Sequence, residues 1–120
     1  MLKKSIQTTP AFTAGDQTII REVLHPKNEA IDLPYSLAYA ILAPGEASLP
    51  HILPYSSEVY VFVRGHGQVF VDAEVTTAQA GEVIHIPAGA EQHVQNVGQE
   101  PLEFWCLVAP PWSASGELVR

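Results

Sequence analysis

The chain has 120 residues, 47% of them hydrophobic and 16% charged, with a formal net charge of -7. Those values describe one globular domain, long enough to bury a core without covalent staples, and exclude a disordered chain. The basic residues are scattered apart from Lys3 and Lys4, which excludes an extended nucleic-acid surface, and Cys106, the only cysteine, excludes an intramolecular disulfide and a cysteine-rich zinc cluster.

Residues 1–17 read as an amino-terminal arm. No apolar run follows Lys3 and Lys4, so no signal peptide is expected. No apolar run in the chain reaches the length of a membrane span, and with a lone thiol the expected location is cytoplasmic. Beyond the arm, prolines and glycines cut the chain into short runs rich in Val, Ile, Tyr and Phe. The expected strands are Thr18–Leu24, Ser36–Ala43, Ser48–Ile52, Glu58–Val63, Gln68–Val71, Glu74–Ala78, Glu82–Ile86, His93–Val97 and Leu102–Ala109. Many short strands at regular spacing predict an all-β sandwich or barrel. Asn28–Leu33 can form a single helical turn, and no segment holds a helical period over three turns. Pro44-Gly45 and Arg64-Gly65-His66-Gly67 supply the backbone freedom of tight reversals. Asp72-Ala73 can close a hairpin, but Ala tolerates positive φ poorly, which leaves a longer loop open. Pro110 and Pro111 end strand pairing, and Trp112, in the tail 110–120, is expected to pack on the barrel or on a neighbouring subunit. The domain is thus read as a single barrel of about 18–109 with its arm and tail.

Side chains on a strand alternate faces. His51 and Leu53 therefore point the same way; Glu58, Tyr60 and Phe62 share one face, and Val59, Val61 and Val63 the other. Turned into a lumen, the first set makes a pocket with one acid and two aromatic rings. Since both faces are otherwise apolar, this strand is expected to be buried on both sides. A buried carboxylate is costly unless it is paired, protonated or metal-bound, so Glu58 points to a site of some kind. His25, His66 and His85 sit at turns or strand ends and are read as structural or solvent residues, and Cys106 as core. Gly65-x-Gly67 falls in a hairpin and is no nucleotide fingerprint.

Two stretches share a grammar of turn glycine, strand and polar groups. Gly45, His51, Glu58 and Gly65 fit G-x5-H-x-(H)-x4-E-x6-G, and Gly81, Pro87, Gly89 and Asn96 fit G-x5-P-x-G-x2-H-x3-N. In these the chain resembles a small single-domain cupin over roughly Ser36 to Ala109. The resemblance implies a double-stranded β-helix, a jelly-roll barrel of cupin type. It also implies one divalent transition metal, held by two histidines and a glutamate of the first motif and a histidine of the second. Here those positions carry His51, Leu53, Glu58 and Gln92. The expected ligands are His51, Glu58 and Gln92, with His93 as the alternative if a bulge at Gly89-Ala90-Glu91 turns it inward. Fe, Mn, Ni, Cu and Zn are not distinguished by these ligands. The function implied is a metal-binding enzyme acting on a small oxygen-bearing substrate, with Tyr60 as candidate catalytic residue; the alternative is a small-molecule-binding module with a vestigial metal site. Cupins of this size also imply a homodimer, without nucleic acid or membrane as partners.

Overall fold

The computed structural model describes the whole chain, Met1–Arg120. Its strands form two antiparallel sheets. One has six strands, in the order β1 (Ala11–Thr13), β2 (Ile19–Leu24), β3 (Ser36–Leu42), β10 (Leu102–Ala109), β5 (Ser57–Arg64) and β8 (Val83–Ile86). The other has five, in the order β11 (Leu118–Val119), β4 (His51–Ile52), β9 (Glu91–Asn96), β6 (His66–Val71) and β7 (Glu74–Gln79). This is the expected double-stranded β-helix. No helix is long and apolar enough to cross a membrane.

Strand β10 shows how the sequence writes the interior. Leu102, Phe104, Cys106 and Val108 are buried, while Glu103, Trp105 and Leu107 between them are only partly so. Each inward residue has a partner on β3: Leu102 faces Leu42, Phe104 faces Ala40, Cys106 faces Ala38, and Val108 faces Ser36. The pairs shrink along the strand. At the Leu42 end, Leu42, Phe62, Val69 and Leu102 are fully buried and close the barrel. At the Ser36 end, short side chains leave space between the sheets. The cavity described below is therefore a direct consequence of Ser36, Ala38 and Ala40 on β3.

The hairpin from β5 to β6 turns on Gly65. Its φ is +88°, and a Cβ there would stand 2.6 Å from the Pro101 carbonyl oxygen, so both conformation and space require glycine.

Several expectations change. Eleven strands form, because the arm contributes β1 and the tail β11. The expected strand Ser48–Ile52 contracts to β4, preceded by a single bridge between Ala47 and Gln95. The Asp72-Ala73 loop has two residues, since Val71 pairs with Glu74, and Asp72 takes the positive φ of 51°. In place of a helical turn over Asn28–Leu33, a tight turn starts at His25, whose carbonyl accepts from Asn28 N and Glu29 N. Strand β5 is buried on its inner face only: Val61 and Val63 are 36% and 46% exposed. They lie on the outside of a sheet, where nothing in the chain covers them, and antiparallel sheets tolerate a solvated face.

Candidate functional site

A cavity of about 80 Å³ opens between the sheets at the Ser36 end. A single water needs roughly 10–15 Å³ on this measure, so there is room for a ligand of a few heavy atoms. Its polar lining includes His51, Glu58, Tyr60, Asp16 and Glu117, beside Glu22 and the hydroxyls of Thr18, Ser36 and Ser48.

His51 opens β4 and pairs directly with Gln92 on β9, so both side chains share the inner face. The imidazole is buried. Its Nδ1 lies 2.9 Å from the Leu49 carbonyl oxygen. A carbonyl only accepts, so Nδ1 carries a proton, and Nε2 makes no hydrogen bond within the protein.

Glu58 sits on β5, between β10 and the edge strand β8, opposite Val108 on one side and Ile86 on the other. It is 6% exposed, and its Oε1 is buried without any hydrogen-bond partner. Burial pushes its carboxyl up to about 8, the charges of Asp16 and Glu117 add to the rise, and the side chains of Gln92 and Cys106 pull it partly back. An unpaired buried carboxylate is disfavoured, and the neutral acid is the form the interior prefers.

Tyr60 and Gln92 close the floor. The phenol O–H donates to Gln92 Oε1, and both residues are buried. Burial, then the Glu58 charge, pushes the Tyr60 hydroxyl well above its usual value, so it keeps its proton. That proton is committed to Gln92 rather than free for a substrate. The Tyr60 ring is held edge-on against Phe104, with centroids 5.1 Å apart.

His93 does not face the lumen. Strand β9 pairs with β4 and β6 without a register shift, so no bulge turns it inward. Its ring stacks on Phe70 of the neighbouring strand, centroids 4.2 Å apart. His25 is a loop residue directly after β2, as expected, and it is buried: its Nε2–H donates to the Trp112 carbonyl at 2.7 Å while Nδ1 accepts from Lys27 N.

Two cavity residues carry no sequence motif. Asp16 belongs to the arm, where Ala14 N–H donates to Thr18 O and closes a loop; Asp16 Oδ1 accepts from Thr18 N, and the Asp16 carbonyl accepts from Leu49 N at 2.7 Å. Glu117 belongs to the tail, where Ser113 caps a short 3-10 turn, Ala114–Gly116. Glu117 Oε2 accepts from Trp112 Nε1 at 2.6 Å, and Trp112 N donates to Ser36 Oγ. Trp112 thus packs on its own barrel. Arm and tail together bring Asp16, His51 and Glu117 into one group, with a ligand atom of each within 4.8 Å of the others, a group able to hold a metal.

The cupin positions themselves do not make a metal seat. Leu53 offers no donor atom, and the Gln92 amide oxygen is taken by Tyr60. One imidazole and one carboxyl remain there, short of the two histidines and a carboxylate that hold a catalytic transition metal.

The two antiparallel sheets thus form a jelly-roll barrel with a cavity at one end, lined by apolar side chains and a few polar groups. A protein-family model described as a cupin domain matches residues 38–108, and the chain belongs to the cupin family. The chain is 33% identical over 113 residues to the uncharacterized protein MJ1618 of Methanocaldococcus jannaschii, covering 94% of this chain and 90% of that protein. Among solved structures it is similar to a predicted oxalate decarboxylase from Thermotoga maritima, at 17% identity and a TM-score of 0.81, covering 91% and 99% of the two chains. It is likewise similar to Pac13, described as a unique nucleoside dehydratase, at 18% identity and a TM-score of 0.80, covering 100% and 91%. At such identities these structures speak to the fold.

Proposed function

We propose that this cupin is an enzyme that takes a small hydroxyl-bearing molecule into the cavity, with Glu58 as the group that meets the ligand oxygen. One observation carries the proposal: Glu58 Oε1 is a buried polar atom without a partner, in a residue that lines the cavity. Such atoms are rare in folded proteins, and a bound molecule is one way to satisfy them. A hydroxyl suits Glu58 in either state, since it donates to the carboxylate and accepts from the acid. A carboxyl that exchanges its proton near neutral pH is matched to general acid–base work. The chemistry that fits is proton movement at a ligand oxygen or its neighbouring carbon, as in isomerisation or loss of water. Tyr60 and Gln92 act as positioning residues that fix the floor. No step is assigned to a metal at the cupin positions.

A non-catalytic binding module is the second reading. Leu53 in a donor position and the Tyr60 proton committed to Gln92 favour it. Both readings predict binding, and turnover separates them.

The test is a thermal-shift panel of polyols, hydroxy acids, sugars and nucleosides, each beside its deoxy counterpart. Hydroxyl-bearing compounds are expected to raise the melting temperature, with the effect lost in Glu58→Ala. Product formation by the hits, followed by mass spectrometry, marks the enzyme; binding without product marks the module. Equal responses to hydroxyl and deoxy compounds would remove the role of Glu58.

A further inference from the structure

The group formed by Asp16, His51 and Glu117 has a common construction. Each member is held by one hydrogen bond to the protein and keeps another donor atom free. Leu49 O and Asp16 Oδ2 both lie beside His51 Nδ1, at 2.9 and 3.7 Å, and Nε2 makes no hydrogen bond within the protein. Thr18 N–H holds Asp16 Oδ1 and leaves Oδ2; the Trp112 indole holds Glu117 Oε2 and leaves Oε1. Outer partners that orient ligands in this way are the usual support of a metal site. A second, independent feature points to a cation. Glu58 lines the same cavity with a buried, unpartnered oxygen, and none of Asp16, Glu58 or Glu117 pairs with a lysine or arginine. Asp16 and Glu117 face the cavity without a lysine or arginine partner, whereas Glu22, a further acid of the lining, pairs with Lys27.

We infer that Asp16, His51 and Glu117 form a seat for one divalent cation at the rim of the cavity, assembled from the arm, strand β4 and the tail. The two carboxylates match the charge of such an ion, and an imidazole beside them suits a first-row metal such as Zn²⁺ or Mn²⁺. The seat takes over the one histidine left from the barrel motif and replaces the missing barrel donors with residues from the two ends of the chain. It goes beyond the ligand proposal and holds whatever that ligand is. The competing account is an ion pair: His51 Nδ1 stands 3.7 Å from Asp16 Oδ2, and a protonated ring would need no metal.

The test uses the full chain, stripped with chelator, and isothermal titration with Zn²⁺, with Co²⁺ absorbance reporting coordination at the same site. One equivalent is expected to bind. Asp16→Asn and Glu117→Gln should each weaken it at least tenfold, while His66→Gln, at an exposed histidine outside the cavity, keeps one-equivalent binding. Glu117 lies in the tail, outside the buried core, so Glu117→Gln carries the test alone if Asp16→Asn melts early. The inference is overturned if no stoichiometric ion binds. It is also overturned if Glu117→Gln binds like the parent, which would place any ion among the barrel residues or on surface histidines.

Discussion

Tyr60 and Gln92 meet across the lumen, the phenol O–H donating to the amide oxygen where the cupin pattern places a metal-binding histidine. The pair replaces one polar function with another. It also predicts the effect of removing the hydroxyl. Tyr60→Phe leaves Gln92 Oε1 buried without a donor and should lower stability by about 1–3 kcal/mol. Urea unfolding at neutral pH measures it, and an unchanged midpoint would show that the bond contributes nothing.

Glu58 makes stability fall as pH rises. Its carboxyl is raised from 4.5 to about 8 in the fold, chiefly by burial. Between those values the native state binds more protons than the unfolded chain, so stability is full below the lower value. It declines up to the upper one and is level beyond. Glu58→Gln removes this slope. In chelator-treated protein the variant should gain on the parent steadily with pH, reaching a few kcal/mol at most above pH 8. Parallel stability curves for the two proteins would contradict the raised value.

Ala38 pairs with Cys106 on the neighbouring strand of the same sheet, both line the cavity, and the small Ala38 side chain helps keep that space open. Ala38→Leu should fill it. The compounds that stabilise the parent should then have no effect, while unfolding free energy without ligand changes by less than about 1.5 kcal/mol, since the new side chain enters a void. Retained binding in this variant would place the ligand elsewhere.

Gly65 is the fixed point of the β5–β6 hairpin. Gly65→Ala combines a left-handed φ of +88° with a Cβ 2.6 Å from the Pro101 carbonyl oxygen, so the loop must shift. A loss of about 1–3 kcal/mol in stability is expected from the strain. Thermal unfolding checks it, and a melting temperature equal to the parent's would show that the loop relaxes freely.

The barrel was legible because its signals are local. Alternation along Leu102–Ala109, the turn glycines 45, 65, 81 and 89, and the spacing of His51 and Glu58 each lie within one or two strands. The inward direction of Gln92 followed from the spacing of the second cupin motif, in which Gln92 takes the position of the family's histidine. What the residues could not announce depends on distant packing. Asp16 and Glu117 come from opposite ends of the chain, and neither belongs to a periodic strand, so no spacing links them to His51. The engagement of Tyr60 by Gln92 depends on how two sheets face each other, which no single strand encodes. The exposure of Val61 and Val63 was missed for a related reason. An apolar outer face looks the same in sequence whether or not a layer covers it.

The most direct measurement is carbon NMR of carboxyl-labelled glutamate in the chelator-treated chain, with Glu58→Gln identifying the resonance. The Glu58 signal should titrate near 8, apart from the other glutamates, and should move when a stabilising hydroxyl compound is added. A signal that titrates in the ordinary carboxylate range, or that stays fixed while the compound binds, would contradict a buried acid waiting for a ligand oxygen.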